Sequence, residues 1–246
     1  MPRALASSQT DRYMAAIASS VSDCIRVLGW QLDPHGVNAS GFSASSIEDW
    51  RRSLQTWLDR PSDNRVLIAV SILLDGRIVY GDRELDVKRL LQQTGDREML
   101  EQWMLRLALA AKPPTGFMRN IVVEGSGKRR GTFDIKHGGL LPIVDLARYA
   151  ALKGNITANA TLPRLRAATD EGVFDQTTAR ILEEAYELFS ALRLEHQVSQ
   201  LQQGDEPDDA LDPKQLDPLT RRYLRDAFRE VSAVQRSLAG ALPSRR

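Results

Sequence analysis

Apolar residues recur every three or four positions over most of this chain of 246 residues. Positions with this spacing share one face of a helix, so the pattern predicts amphipathic helices that bury that face. The predicted helices cover residues 11–28, 46–58, 85–91, 97–111, 141–153, 162–169, 175–203 and 219–238. The acidic stretch 204–218, between the last two helices, is predicted to be a solvated loop. From residue 141 onward the pattern therefore indicates a helical bundle.

Three shorter stretches have the pattern of strands. The continuous apolar run 66–74 is rich in β-branched residues, which is typical of a buried strand. The Asp-Gly pair that follows it predicts a hairpin turn before a second strand at 77–80. Residues 117–124 and 132–135 predict another hairpin around a Gly-Ser-Gly-Lys tip. We therefore predict a mainly α protein with a small β-sheet, of the α+β class, in which N-terminal helices cover the sheet.

A strand, a glycine pair and a helix start follow one another where the predicted sheet gives way to the bundle. Gly138 and Gly139 can adopt positive φ in a turn, and Pro142 lies where a first helical turn places it. Free backbone N–H groups, the positive end of the helix dipole and Lys136 would together bind an anion, with Asp134 at the rim. On local features alone, an ordinary strand-to-helix connection is the alternative interpretation.

Composition mainly excludes classes of function. The formal net charge is +1, so nothing indicates the strong positive field typical of nucleic-acid binding. The single cysteine excludes an internal disulfide and a cysteine-based zinc site, and the three histidines lack metal-ligand spacing. The sequence has no apolar run of about 18 residues and no apolar signal-peptide core, which predicts no membrane span and a soluble cytoplasmic protein.

The stretch with the glycine pair also carries a family resemblance. The run FDIKHGGLLPIVDLARYAAL, followed by TLPRLRAATDEGVFD and ILEEAYELFSALRLEHQ, resembles the putative nucleotidyltransferase substrate-binding domain family. This family is related to PII-protein uridylyltransferases and glutamine-synthetase adenylyltransferases. The blocks occur in the family's order, and the similarity extends from about Tyr13 to the C-terminus. The family's signature residues are matched by Asp134, Lys136, Gly138, Gly139 and Asp145.

The resemblance implies a fold, a function and a site. Residues 1–136 would form part of a polymerase-β-like nucleotidyltransferase domain, and residues 137–246 would form the helical substrate-binding domain. ATP or UTP would be the donor, a regulatory protein in signal transduction would be the acceptor, and Mg²⁺ would be the cofactor, without zinc or haem. Asp75 would be a third catalytic carboxylate and a metal ligand, with a hairpin turn as its alternative role. The substrate- or nucleotide-binding residues would be Asp134, Lys136, Gly138, Gly139, Asp145 and Arg148. For Asp145 and Arg148, a structural salt bridge at i,i+3 is the alternative.

One part of the family's pattern is absent from the sequence. The relatives take two metal-binding carboxylates from a Gly-Ser…Asp-x-Asp segment ahead of the first helix, whereas the residues before Tyr13 contain no glycine and only one aspartate, Asp11. We therefore expect the isolated chain to be inactive, with catalysis supplied by a missing or separate N-terminal segment. The alternatives are a non-catalytic nucleotide- or protein-binding signalling module and a helical interaction domain without a ligand. If the site exists, Asp75, Asp134 and Lys136 should face a common cleft.

Overall fold

The computed structural model describes residues 3–31, 47–78, 89, 91, 97–115, 121–127, 129–240 and 242. The chain divides into two compact units, Met1–Thr56 and Trp57–Arg246. The predicted domain boundary after residue 136 lies within the second unit. The predicted helix 85–91 falls almost wholly outside the described residues.

The first unit contains a long helix, α1, at Arg3–Val27, and most of a second helix, α2, at Ile47–Asp59. Gly29 follows α1 with a φ of +88°, and its N–H donates to the carbonyl of Arg26, so a glycine ends this helix as predicted. The large apolar side chains at helical spacing in α1 are exposed: Tyr13, Ile17, Val21 and Ile25. The pattern thus predicted the helix correctly, although its apolar face is not covered by the described part of the chain.

Residues 66–74 form part of a helix, α3, at Asn64–Asp75, so the predicted strand and hairpin are wrong. The buried side chains of the run have helical spacing: Val66, Leu67, Val70, Ser71 and Leu74. Asp63 caps the start by accepting a hydrogen bond from the N–H of Arg65 at 2.9 Å. The N–H of Gly76 closes the end by donating to two carbonyls of the last turn. The prediction failed because a short apolar run fits a buried helix as well as a buried strand.

Packed helices make up most of the second unit. After α3 come α4 at Glu98–Ala110, α5 at Leu141–Lys153, α6 at Thr161–Asp170, α7 at Gln176–Gln203 and α8 at Pro218–Ala239. Their apolar faces meet in one core, in which the ring of Phe228 lies 5.5 Å from that of Phe133 and 4.8 Å from that of Phe189. The predicted C-terminal bundle is confirmed. Among the described helices, none is long and apolar enough to cross a membrane.

A two-stranded antiparallel sheet joins β1 at Phe133–Asp134 to β2 at Ala210–Leu211. The fold is therefore mainly α with a small sheet, as predicted. The partner of β1 was not predicted, because β2 belongs to the acidic stretch that we expected to be a solvated loop. Asp209 in this stretch accepts a hydrogen bond from Arg193 of α7 at 2.6 Å, and its backbone carbonyl accepts the N–H of Ile135 at 2.9 Å. The acidic stretch is thus held against both the sheet and α7.

The predicted hairpin ahead of β1 is described in part. Residues 116–120 lie outside the described residues, and Ile121 makes one isolated bridge with Thr115. Glu124 donates its N–H to the carbonyl of Thr132 and accepts the N–H of Gly131, both at 2.8 Å. The two arms therefore meet at this point, although residues 122–124 are not a strand.

The glycine pair is helical, and the predicted turn is wrong. Lys136–Leu140 is a π-helical segment that continues directly into α5, and the N–H of Leu141 donates to the carbonyl of Lys136. Neither Gly138 nor Gly139 has a positive φ. The helix therefore begins before the glycines, and their backbone N–H groups are not those of a loop.

Close packing explains why glycine occupies both positions. A Cβ atom at Gly138 would lie 2.9 Å from Cδ of Pro114, which is closer than real carbon contacts allow. A Cβ atom at Gly139 would lie 3.1 Å from the ring of Phe189, a core residue. The glycines thus let the π-helical segment approach its neighbours closely, a use of glycine that does not depend on unusual backbone angles.

Candidate functional site

The structure joins Asp75, the last residue of α3, to two arginines from other helices. Arg148 of α5 donates from Nε to Oδ2 of Asp75 at 3.1 Å, and its Nη2 donates to the same oxygen. Arg164 of α6 donates from Nη1 to the other oxygen, Oδ1, at 2.7 Å. Each carboxylate oxygen of Asp75 therefore has its own guanidinium partner, and three helices meet at one charged cluster.

The position of Asp75 explains why it needs cations. The C-terminal end of a helix carries a partial negative charge, so a carboxylate there is unfavourable unless positive groups are close. Arg164 supplies such a group, since its Nη2 also donates to the carbonyl of Leu74 in the last turn of α3. Its Nε donates to the carbonyl of Ala158 at 2.9 Å. With a side chain only 1% exposed, Arg164 is a buried cation with several acceptors around it.

Asp145 completes the cluster from the side of α5. Its Oδ1 accepts a hydrogen bond from Nη1 of Arg148 at 2.8 Å, so the predicted i,i+3 pair forms. Asp145 is buried, and this burial raises its pKa despite the opposing charge and hydrogen bond of Arg148. The negative charge of Asp75 adds a smaller contribution in the same direction. Arg148 is thus shared between two carboxylates of different character.

Asp75 has the opposite shift. Burial alone would raise the pKa of its carboxyl, but the hydrogen bonds and charges of Arg148 and Arg164 together hold that pKa below its usual value. The side chain is 37% exposed, and that of Arg148 is 18% exposed. Asp75 therefore stays ionised on a side of the cluster that solvent, and a solute, can reach.

A second group of predicted site residues lies at the start of the π-helical segment. Oδ1 of Asp134 accepts the backbone N–H of His137 at 2.8 Å, and Oδ2 lies 3.0 Å from Nδ1 of the same histidine. Nη1 of Arg129 is 3.7 Å from Oδ2. Burial alone would raise the pKa of Asp134, but the N–H and ring of His137 and the charge of Arg129 lower it overall. Asp134 is thus a helix cap, and its own carboxylate takes one of the N–H groups that an anion would use.

The contacts of the described residues place the predicted site residues in separate groups. Asp75, Asp145 and Arg148 share the first cluster, and Asp134 belongs to the second. Lys136 is exposed, and its side chain makes no hydrogen bond or ion pair with the described residues. No hydrogen bond or ion pair between described side chains joins the two groups, so the shared cleft of Asp75 with Asp134 and Lys136 stays a prediction.

Arg164 is the functional candidate that the sequence reasoning missed. It lies in the block TLPRLRAATD, which contributed to the resemblance but not to the predicted site. The available signal was an arginine beside Leu165 and one turn before Ala168, both buried in the core. A buried arginine requires a charged partner, so an arginine at a core-facing helix position indicates a buried ion pair.

The described residues do not fit a magnesium ion at Asp75. Mg²⁺ binds through carboxylate oxygens, but here both oxygens already accept guanidinium hydrogen bonds, and two adjacent positive charges repel a cation. Within the described part of the chain, no group of three or more His, Cys, Asp or Glu residues could hold a metal. A magnesium requirement therefore remains a prediction that rests on the resemblance.

Comparison with known families agrees with the resemblance at the level of the domain. Residues 97–242 match the family model described as Putative nucleotidyltransferase substrate binding domain. The matched part includes Arg148, Arg164 and the glycine pair, whereas Asp75 precedes it. Comparisons with curated proteins and with solved structures found no match. Since the family model covers more than half of the 246 residues, the chain belongs to the nucleotidyltransferase substrate-binding domain family.

Proposed function

We propose that this chain binds the phosphate groups of a nucleotidyl-transfer substrate at Arg148 and Arg164. The observation that carries the proposal is the convergence of two guanidinium groups on Asp75, a carboxylate whose side chain is 37% exposed. Guanidinium groups bind carboxylates and phosphates with the same paired donors. A substrate phosphate can therefore take the place of the Asp75 carboxylate on Arg148.

Burial and hydrogen bonding suggest different roles for the two arginines. Arg164 is almost fully buried and also binds backbone carbonyls, so it would stay fixed while the substrate enters. Arg148 is partly exposed, and Asp145 orients its guanidinium group through Nη1. Arg148 would thus make the main contact with phosphate, and Asp145 would act as a positioning residue.

The wider reaction follows from the resemblance. ATP or UTP is the proposed donor and a regulatory protein the proposed acceptor, in a cytoplasmic signalling role similar to that of PII-protein uridylyltransferases. The carboxylates that hold Mg²⁺ would be supplied by a missing or separate segment, so we expect the isolated chain to bind substrate without transferring it. Lys136, with Asp134 and the glycine pair, remains a second proposed contact for the nucleotide.

Calorimetric titration with ATP and with UTP, each with Mg²⁺, tests the binding site. Arg148→Lys keeps the charge but loses the paired donors, so nucleotide affinity should fall by about tenfold, as expected for a hydrogen bond to a charged group. Asp75→Asn removes the competing carboxylate and should raise the affinity. Arg166→Ala, on the same helix as Arg164, removes only an exposed ion pair with Glu183 and should change nothing.

Two outcomes would contradict this assignment. Unchanged affinity in Arg148→Lys would remove the residue on which the site depends. Weaker binding in Lys136→Ala, together with unchanged binding in Arg148→Lys, would move the nucleotide site to the start of the π-helical segment.

A non-catalytic signalling module that binds a protein is the alternative function. The exposed apolar face of α1 favours it, because contiguous exposed apolar residues commonly mark interaction surfaces. Two results together would support this alternative over nucleotide binding. The wild-type chain would bind neither ATP nor UTP, and it would self-associate in sedimentation experiments whereas the Val21→Glu variant would not.

A further inference from the structure

An open groove lies between the C-terminal end of α4 and the last turns of α8, away from the cluster around Asp75. It has a volume of about 660 Å³, which is within the range of about 300–1,000 Å³ of small-molecule sites. Apolar side chains of Leu109, Pro113 and Val122 line part of it. The groove shares no lining residue with the cluster of Asp75, Arg148 and Arg164, so it requires a separate explanation.

Two buried polar residues of α8 line the groove. Ser232 is only 9% exposed, and its hydroxyl makes no hydrogen bond with the described residues. Gln235 is 6% exposed, and its Nε2 donates to the carbonyls of Ala108 and Ala111 at 2.9 and 2.8 Å. These two bonds fix the Gln235 side chain and cap the end of α4. The hydroxyl of Ser232 lines the groove without a protein partner among the described residues, so it is a candidate partner for a ligand.

The charge along the groove has one sign. Lys112 and Arg236 line it, and none of the described lining residues is an aspartate or glutamate. Neither cation forms an ion pair within the part of the chain that the structure describes. A groove with an apolar wall, two cations and an unpaired hydroxyl is complementary to an anion that carries an apolar body.

We propose that this groove is a second ligand site, which binds a small organic anion with a flat apolar body. The apolar body would lie against Leu109, Pro113 and Val122, and the anionic group would contact Lys112 and Arg236. The hydroxyl of Ser232 would donate to the ligand. This site does not depend on the nucleotide site proposed above, since the two share no residue.

The cations also have a structural interpretation that the experiment must exclude. Lys112 follows α4 and Arg236 lies in the last turn of α8, where positive charges offset the negative ends of the helix dipoles. If this were their whole role, replacing them would change the thermal stability of the protein and leave ligand binding unaffected.

Titration of the full chain with 1-naphthyl phosphate, an aromatic anion, tests the proposal. Arg236→Glu should weaken binding by more than about tenfold, since it replaces an attractive charge with a repulsive one. Ala239→Trp adds a large side chain at an exposed position of the groove wall and should abolish binding without lowering the melting temperature. Ser232→Ala should weaken binding by about three- to tenfold, the value of one hydrogen bond.

Arg166→Ala, which lies outside both proposed sites, should leave 1-naphthyl phosphate binding unchanged, and Arg148→Lys tests whether the probe binds at the Asp75 cluster instead of the groove. Loss of binding in Arg148→Lys, with normal binding in Ala239→Trp, would overturn the groove site and place the aromatic anion at the Asp75 cluster. Unchanged binding in both Arg236→Glu and Ala239→Trp would also overturn it.

Discussion

Asp75 and Asp134 were both predicted as site residues, but the structure holds them in different ways. Asp75 is bound by arginines that lie 73 and 89 residues further along the chain. Asp134 is bound by the N–H and ring of His137, three residues away, and by the nearby Arg129. The first carboxylate ties three helices together, and the second caps the start of one helix.

This difference shows what a sequence signature reports. A motif of neighbouring residues encodes local geometry, so it correctly predicted a helix after the glycine pair but placed the start of that helix too late, at residue 141. The cluster around Asp75 depends on residues that are distant in sequence, and the signature contained only part of it. Four measurements test whether Asp75 stabilises the packing of three helices while Asp134 only caps the start of one helix.

The largest effect should come from Asp75→Asn. This change leaves the buried Arg164 without its carboxylate, and we expect the free energy of unfolding to fall by about 3 kcal/mol, at the low end for a broken buried ion pair because Asp75 is 37% exposed. Urea unfolding measures it. Glu183→Gln is the matched control, since it removes the partner of Arg166, an exposed arginine on the same helix as Arg164, and should cost under about 1 kcal/mol. Equal effects of the two changes would show that Asp75 is an ordinary surface ion.

Gly139→Ala should rank second. The new Cβ would lie 3.1 Å from the ring of Phe189, and we expect a net loss of about 1–2 kcal/mol, since overpacking costs more than the gain in helix propensity. Urea unfolding in the Phe189→Leu background provides the control, because the smaller side chain leaves room for the methyl group. The contact between the two positions would be refuted by identical losses in both backgrounds.

Asp134→Ala should have a smaller effect, a loss of about 1 kcal/mol typical of an N-cap, while Asp134→Asn keeps an acceptor and should lose only a few tenths. Asp175→Ala is a suitable comparison, because Asp175 caps α7 by accepting the N–H of Thr178 at 2.8 Å. Thermal unfolding of the three variants measures these differences. If Asp134→Ala lowered the stability as much as Asp75→Asn does, Asp134 would be more than a local helix cap.

The smallest effect is the pH dependence of the Asp134 cap. Its folded pKa lies below the ordinary value of 3.8, so its stabilisation is present above that value and is lost as the pH falls through the folded pKa. The difference in unfolding free energy between wild type and Asp134→Asn should therefore shrink as the pH falls from about 6 towards 3. Urea midpoints at each pH measure it. A difference that grows on acidification would contradict the direction of the shift.

Local rules predicted a large part of the fold. The helix predicted at 175–203 matches α7, because Asp175 caps its start and Gly204, with a φ of +81°, ends it. The failures involve non-local pairing. Periodicity could not decide between strand and helix for 66–74. β2 is a strand of only two residues, in which Leu211 pairs with Phe133 from a distant part of the chain. The same limitation hid Arg164, whose partner Asp75 is in another helix.

The π-helical segment has a consequence for insertions and deletions in this family. Its turn contains one residue more than an α-helical turn, and each helical residue rotates the chain by about 100° around the axis. Removing one residue between Lys136 and Leu140 would therefore leave a regular helix but turn everything upstream by that angle. β1 would then face away from β2, so the length of this short segment determines whether the two strands can pair.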